Sequence, residues 1–148
     1  MAVDIPGNHH VVRTVGKDKC DLALDGHTIT VESGVFLPRE DYPLGIGPEP
    51  YVSVDWLEYF SGSLQKQLGQ VRDAVAARGR TVGQQARLAT VLVDNVHKAA
   101  RTGNKTVIVS TTGEANDPSH SGIYGLEPSD DKIAQEIALR AVAHPAYS

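Results

Sequence analysis

The chain has little of what would cross-link it, export it or anchor it in a membrane. Of its 148 residues only Cys20 is a cysteine, so no disulfide can form within the chain. No apolar run approaches the roughly 20 residues that a membrane-spanning helix needs. The N-terminus lacks the basic segment and the apolar run that make up a signal peptide. The sequence therefore predicts a cytoplasmic protein without membrane contact, and its length fits one domain over residues 1–148.

Positive charge is also scarce. The net charge is −4, and an acidic chain does not favour broad binding to duplex DNA, which requires clustered Lys and Arg. Residues 72–105 are locally basic, but exposed Lys and Arg are the usual composition of a solvated helix face. The sequence has no Cys/His zinc spacing, and Gly45-Ile46-Gly47 lacks the third glycine and the helix of a nucleotide loop. We therefore predict neither a cofactor nor a metal site.

The first third of the sequence has the composition of β-strands. β-Branched residues dominate positions 10–15. Asp25-Gly26 separates two further runs, at 20–24 and 27–32, in the pattern of a hairpin with a two-residue turn. Residues 38–50 are rich in proline and glycine and predict an irregular connection. An antiparallel hairpin region is therefore expected near the N-terminus.

Helical signals appear in the second half. Residues 63–78 carry apolar side chains on one helical face, and Gly79 follows the last turn. Residues 86–100 fit either one helix, or a strand over 88–93 and a short helix that begins at Asp94. The β-branched residues and the start signal at Asp94 favour the second interpretation.

Two more helix starts are predicted from capping residues. Asp55 and Glu58 have the spacing of a capping box. Ser129 is expected to cap a last helix that ends at Pro145. Because strands dominate early and mix with helices later, we predict an α+β fold, in which a mostly antiparallel sheet is backed by two or three helices.

The segment 110–131 is the most informative part of the sequence. It reads as a loop of about twenty residues, and loops that long are usually functional or disordered. His120 lies at its centre. The polar residues around it are candidate binding residues: Glu114, Asn116, Asp117, Ser119, Ser121 and Tyr124.

A second hypothesis assigns catalytic roles to His10, Arg13 and His120. In metal-independent phosphodiester cleavage, one imidazole takes the proton of a 2′-hydroxyl and the other protonates the leaving oxygen, while an arginine stabilises the phosphorane. Imidazole suits both roles because its ordinary pKa is near neutrality. Strand alternation would turn Arg13 away from His10, so this site needs His10 in a loop or at a bulge.

Four short motifs carry a resemblance to a protein group. They are His10-Val11-Val12-Arg13, Phe36-Leu37-Pro38-Arg39, Ser53-Val54-Asp55-Trp56-Leu57-Glu58 and Pro118-Ser119-His120. In these motifs the chain resembles a group of small uncharacterised bacterial proteins with H-V-x-R, F-x-x-R, S-V-x-W-L-E and P-S-H. The resemblance implies a bacterial origin and no particular activity. It places Ser53 at a motif position, and Ser53 therefore joins the candidate binding residues.

The sequence as a whole favours a binding or accessory module. Its interaction surface would be formed by residues 110–130 and the connection at 38–50. The expected partner is another protein or a second copy of the chain. The alternative is an RNase-like phosphodiesterase that uses the histidine pair, and RNA is a partner only under that alternative.

Overall fold

Eight β-strands and three α-helices lie in residues 1–40 and 49–147, the part of the chain that the computed structural model describes. The strands are β1 (His10–Val15), β2 (Cys20–Leu22), β3 (Ile29–Val31), β4 (Val52–Trp56), β5 (Arg87–Leu92), β6 (Ile108–Thr111), β7 (His120–Tyr124) and β8 (Val142–Pro145). The helices are α1 (Leu64–Ala77), α2 (Val93–Thr102) and α3 (Asp131–Arg140).

Six of the strands form one antiparallel sheet. Their order is β6-β7-β4-β1-β5-β8, and β2 pairs with β3 in a separate hairpin. This is an α+β fold with a mostly antiparallel sheet backed by helices, which confirms the predicted fold class.

Apolar side chains cover both faces of the sheet because neighbouring residues of a strand point to opposite sides. In β1, Val11 shares a core with Val96 of α2 and Ile137 of α3, whereas Val12 shares a core with Val71 of α1. Among the described residues, the core under α1 includes side chains of β1 and β5 and none of β4, β6 or β7. Helix α1 therefore covers only part of one face of the sheet. On that face, the side chains of β4 and β7 border an open cleft.

The strongest local predictions are confirmed. The helix predicted over residues 63–78 is α1, and the structure adds that Ser63 caps it, since its Oγ accepts a hydrogen bond from the backbone N–H of Lys66 at 3.3 Å. The strand-then-helix interpretation of residues 86–100 is also right, although β5 ends at Leu92 and α2 begins at Val93, with Leu92 and not Asp94 as its N-cap.

The prediction for the last helix is wrong at both ends. Helix α3 begins at Asp131, after Asp130, and ends at Arg140 instead of continuing to Pro145. Residues 142–145 form β8, which pairs with β5 at the edge of the sheet. An Ala- and Val-containing segment suits a helix or a strand, and the available edge of β5 decides in favour of the strand.

The predicted capping role of Asp55 is wrong as well. Asp55 lies within β4 and is 3% exposed. The chain after it forms only a 3₁₀ turn at Leu57–Tyr59, before α1 begins. The carboxylate of Asp55 binds an arginine, as described below, and that buried ion pair explains its position.

The hairpin forms, but not through the predicted two-residue turn. Its connection covers residues 23–28, and of the Asp25-Gly26 pair only Gly26 has a positive φ, 82°. The Asp25 carboxylate accepts hydrogen bonds from the backbone N–H groups of His27 and Thr28 at 3.0 and 2.8 Å. This side-chain turn replaces the type I′ geometry.

In the ranges described, no helix combines the length and the apolarity that crossing a membrane requires. The predicted irregular connection at 38–50 falls mainly on residues 41–48, which lie outside the described residues.

Candidate functional site

A gap between β1 and β4 creates the cleft that holds the candidate site. In the described chain these strands pair at two positions, of which the last is Val12↔Asp55. Arg13 follows on β1. Its Nη1 donates to the carbonyl oxygen of Ser53 at 3.0 Å, and its Nε donates to that of Val35 at 2.9 Å. The guanidinium therefore takes the place of ladder hydrogen bonds where the strands separate.

The cleft has a volume of about 480 Å³. That volume is in the range of small-molecule sites. Its lining is strongly cationic, and the residues are Arg13, Arg39, Arg78, Arg80, His120, Glu49, Pro50, Tyr51 and Ser53.

Arg13 carries a buried charge, and no carboxylate among the described residues forms an ion pair with it. Burial, together with repulsion from Arg80 and Arg39, lowers the pKa of Arg13 to about 10, while Glu49 and Asp55 act in the opposite direction. When the pKa of a base is lower in the folded than in the unfolded state, the base destabilises the folded state at every pH below the folded pKa. This destabilisation is lost only as the pH rises above the folded pKa. Arg13 is therefore cationic at neutral pH, and an anion in the cleft would offset the penalty of burying its charge.

Arg80 brings a second guanidinium to the cleft. Arg78 is the C-cap of α1, and Gly79 then turns the chain with a φ of 87°, a conformation that favours glycine. Arg80 is exposed and makes no hydrogen bond or ion pair with another residue of the described ranges. Its charge is therefore available to a ligand. Arg39, in contrast, has a carboxylate oxygen of Glu49 at 3.3 Å from its Nε.

Arg78 forms an ion-pair cluster beside the cleft. It binds Asp55 and Asp117 in a bidentate manner, with Nη1 at 3.0 Å from Asp55 Oδ2 and Nη2 at 3.1 Å from Asp117 Oδ1. Ser119 Oγ also donates to Asp55 Oδ1 at 3.1 Å. Burial would lower the pKa of Arg78, but the hydrogen bonds to both carboxylates outweigh it and raise the pKa above the ordinary value. The cluster attaches the end of α1 to β4 and to the segment before β7.

The segment predicted as one long loop contains a strand. Because β7 begins at His120, the connection from β6 covers only residues 112–119. Thr112 N–H donates to the His120 carbonyl at 2.9 Å, and His120 N–H donates to the Asp117 carbonyl at 3.1 Å. The side chain of His120 is 12% exposed. His120 is thus held at the start of a sheet strand, not on a loop that folds back over the sheet.

Ser53 and His120, which line the cleft, form a chain of polar contacts that continues to Glu114 outside the cleft lining. Ser53 faces Gly122 across the β4–β7 ladder, so His120 is its diagonal neighbour on the same face. Ser53 Oγ lies 2.9 Å from His120 Nε2. On the other side of the ring, His120 Nδ1 lies 3.5 Å from Glu114 Oε2 and 3.5 Å from Thr112 Oγ1. The arrangement is that of a nucleophile, a base and an orienting carboxylate.

Two tyrosines pack over a glycine next to this chain of contacts. A Cβ at Gly122 would lie 2.7 Å from Tyr51 Cδ2 and 2.9 Å from Tyr124 Cε1. The two tyrosine rings are 4.9 Å apart, and Tyr51 meets the ring of His120 edge-on at 6.0 Å. Burial, with a smaller contribution from the charge of Glu114, raises the pKa of Tyr124. Glycine at position 122 therefore lets Tyr51 form one wall of the cleft.

One group of side chains has the spacing of a metal site. Glu114, Asp117 and His120 bring three potential ligand atoms within 4.8 Å of one another. However, both carboxylate oxygens of Asp117 are bonded to Arg78, and Nε2 of His120 is bonded to Ser53. A cation bound through His120 Nδ1 would still have to displace Arg78 from Asp117, so the donor set fits a hydrogen-bond network better than a metal.

The structure brings some of the predicted site residues together and separates others. Arg13, Ser53 and His120 line the cleft. His10 does not line it. Its Nδ1 is 2.6 Å from Glu58 Oε2, and its backbone N–H donates to the same carboxylate at 2.7 Å. The two histidines of the phosphodiesterase hypothesis therefore do not share this cleft.

The remaining predicted binding residues lie around the cleft in different roles. Ser121 is fully buried and donates to the Ser119 carbonyl, and Ser119 is 1% exposed and supports Asp55. These two serines are structural. Asn116 is exposed outside the cleft lining, next to Asp117.

Sequence reasoning missed Arg78, Arg80 and Tyr51. In the sequence, the two arginines belong to a basic stretch that fits a solvated helix face, which is where most exposed arginines lie. A usable signal was present in Arg78-Gly79-Arg80, because a glycine that ends a helix redirects the next side chain out of the helical register.

Comparison of the chain with protein-family models, with curated proteins and with solved structures gave no match.

Proposed function

We propose that this protein is a binding module whose cleft recognises a small phosphorylated molecule. The observation that carries the proposal is the partly buried guanidinium of Arg13, which hydrogen-bonds two neutral carbonyls and forms no ion pair with a described carboxylate. An unpaired buried charge costs several kcal/mol, and a fold retains such a group most readily when a ligand supplies the counter-charge.

The ligand is inferred from the charge and size of the cleft. Arg13 and Arg80 together carry two positive charges, which a ligand with a single carboxylate would not balance. Guanidinium groups also bind phosphate oxygens in a bidentate manner. The volume of about 480 Å³ suits a small organic phosphate. The net charge of −4 does not favour a polynucleotide. A cytoplasmic location and a bacterial origin belong to the same proposal and rest on the sequence alone.

The two-histidine phosphodiesterase gains no support from this geometry. It requires both imidazoles within reach of one phosphate, and His10 is bonded to Glu58 outside the cleft lining.

Removing the exposed arginine is expected to weaken phosphate binding. In titration calorimetry, inorganic pyrophosphate should bind the wild type, whereas potassium chloride at equal ionic strength should give no comparable binding heat. Arg80→Gln should weaken pyrophosphate binding by roughly tenfold or more, because a hydrogen bond between charged groups contributes about 1.5–3 kcal/mol.

Arg101→Gln is the matched control, since Arg101 is an exposed arginine of α2 that does not line the cleft. It should bind pyrophosphate as the wild type does. The proposal fails if the wild type shows no pyrophosphate binding beyond the effect of ionic strength, or if the two variants behave alike.

A further inference from the structure

We propose that Ser53 is a nucleophile and that the cleft hydrolyses small phosphate monoesters. This inference rests on the proposed function, because Arg13 and Arg80 must first hold the phosphate. It adds a reaction to the binding module and assigns the residues that carry it.

The first argument is the hydrogen-bond role of each ring nitrogen of His120. The carboxylate of Glu114 accepts hydrogen bonds and donates none. Its contact with His120 Nδ1 at 3.5 Å therefore favours the ring tautomer that carries its proton on Nδ1. In the neutral ring, Nε2 is then an acceptor, and the hydrogen bond of 2.9 Å is donated by the hydroxyl of Ser53. This is the orientation in which an imidazole can remove the serine proton.

The second argument is that the strands fix the position of both groups. Ser53 and His120 lie on adjacent paired strands, and the backbone hydrogen bonds of the β4–β7 ladder set their separation. His120 is further held through its backbone by Asp117, whose side chain is bound by Arg78. Catalytic groups on rigid sheet strands lose little entropy when the reaction begins.

The third argument is where the positive charge lies. Arg13 Nη1 donates to the carbonyl oxygen of Ser53, so a guanidinium adjoins the residue that carries the nucleophile. Arg80 approaches from the end of α1. Charge that develops on the non-bridging oxygens of a phosphoryl group would therefore lie near two cationic groups in a partly enclosed site.

The reaction has two balanced steps. Ser53 Oγ forms a bond to phosphorus while His120 Nε2 takes its proton. The bond from phosphorus to the leaving oxygen breaks, and His120 returns the proton to that oxygen, which leaves a phosphoserine and an alcohol. Water then attacks phosphorus and gives a proton to His120. Ser53 leaves and recovers that proton, so the products are the alcohol and inorganic phosphate.

The three residues have separate roles. Ser53 is the nucleophile and His120 the acid–base catalyst. Glu114 is a positioning residue, because it acts on the substrate only through the ring of His120. Its side chain is 48% exposed, so its substitution should not disturb the core.

The test uses p-nitrophenyl phosphate in the presence of EDTA. The wild-type chain should release p-nitrophenol, and intact-protein mass spectrometry after an acid quench should show one added phosphoryl group on Ser53. Ser53→Ala should lose about 10³-fold or more of the rate and all of the labelling. His120→Gln should lose about 10²–10⁴-fold. Glu114→Gln should lower kcat with little change in KM.

Ser61→Ala serves as the matched control, since Ser61 is exposed and does not line the cleft. It should retain the rate and the labelling of the wild type. Pyrophosphate binding by Ser53→Ala, measured as above, shows whether that variant keeps a folded cleft.

The outcomes separate the two proposals. If the wild type binds pyrophosphate but neither hydrolyses the ester nor becomes phosphorylated, the catalytic inference is overturned and the binding function stands. If pyrophosphate does not bind, the proposed function itself fails. Hydrolysis that survives in Ser53→Ala, or that requires an added divalent cation, would also overturn the assignment of Ser53 and would favour the group formed by Glu114, Asp117 and His120.

Discussion

Replacing Arg78 with methionine is expected to lower the free energy of unfolding by about 3–5 kcal/mol, the range observed when one partner of a buried ion pair is removed. Asp55 is 3% exposed, and Arg78 supplies its ionic partner. The substitution keeps the apolar length of the side chain but leaves a carboxylate charged within the protein. For a chain of this size the melting temperature should fall on the order of 10 °C. Urea denaturation, analysed for both the midpoint and the slope, measures the loss.

Two further variants make this result specific to the cluster. Arg140→Met removes an arginine that pairs with Glu136 at i,i+4 on α3, where the side chains are 30% exposed. It should cost no more than about 0.5 kcal/mol. Combining Arg78→Met with Asp55→Asn removes the more buried of the two carboxylates that lose their partner and should recover part of the stability. A loss below about 1 kcal/mol for Arg78→Met alone would show that Asp55 finds another partner or water.

Short-range signals were sufficient to predict most of the elements. Helix α1 follows from apolar residues at helical spacing, which form a stripe that faces one core, and from the glycine after its last turn. The break between β5 and α2 follows from β-branched residues and a start signal. In these segments local preference and tertiary packing agree, so the sequence alone identifies the structure.

Predictions failed where a distant partner decides the outcome. Residues 142–145 continue the apolar stripe of α3, yet they pair with β5, because that strand otherwise presents an unpaired edge. Asp55 has the spacing of a helix cap, but the counter-charge that stabilises it in β4 comes from Arg78 at the far end of α1. Neither interaction leaves a signal within a few residues of the segment concerned.

The candidate site shows the same division. The sequence indicates Arg13, Ser53 and His120 separately. They line the same cleft because the strand order is β7-β4-β1 and because the β1–β4 pairing ends early. His10 was selected on equal grounds, yet its ring faces Glu58. The sequence indicates which residues could form a site, whereas the strand register determines which of them line the same cleft.

A single added methyl group at Gly122 is expected to damage both the fold and the cleft. In Gly122→Ala the new Cβ would lie 2.7 Å from Tyr51 Cδ2 and 2.9 Å from Tyr124 Cε1, closer than carbon atoms can approach. Overpacking of this kind costs about 1–3 kcal/mol, and replacing glycine within a strand returns at most about 1 kcal/mol. We therefore expect a net loss of about 1–2 kcal/mol in urea denaturation. Pyrophosphate binding should weaken in the same variant, since Tyr51 lines the cleft.

The control for this substitution is Gly83→Ala. A Cβ at Gly83 meets no atom within 4 Å, and the backbone there is not in the left-handed region. That variant should be as stable as the wild type or slightly more stable. Tyr51→Ala in the Gly122→Ala background removes the Tyr51 ring atoms that the methyl group would meet and should recover part of the stability, while the cleft stays altered because its aromatic wall is gone. If Gly122→Ala is instead as stable as Gly83→Ala and binds pyrophosphate normally, then Tyr51 does not pack over Gly122, and the wall next to Ser53 and His120 is formed in another way.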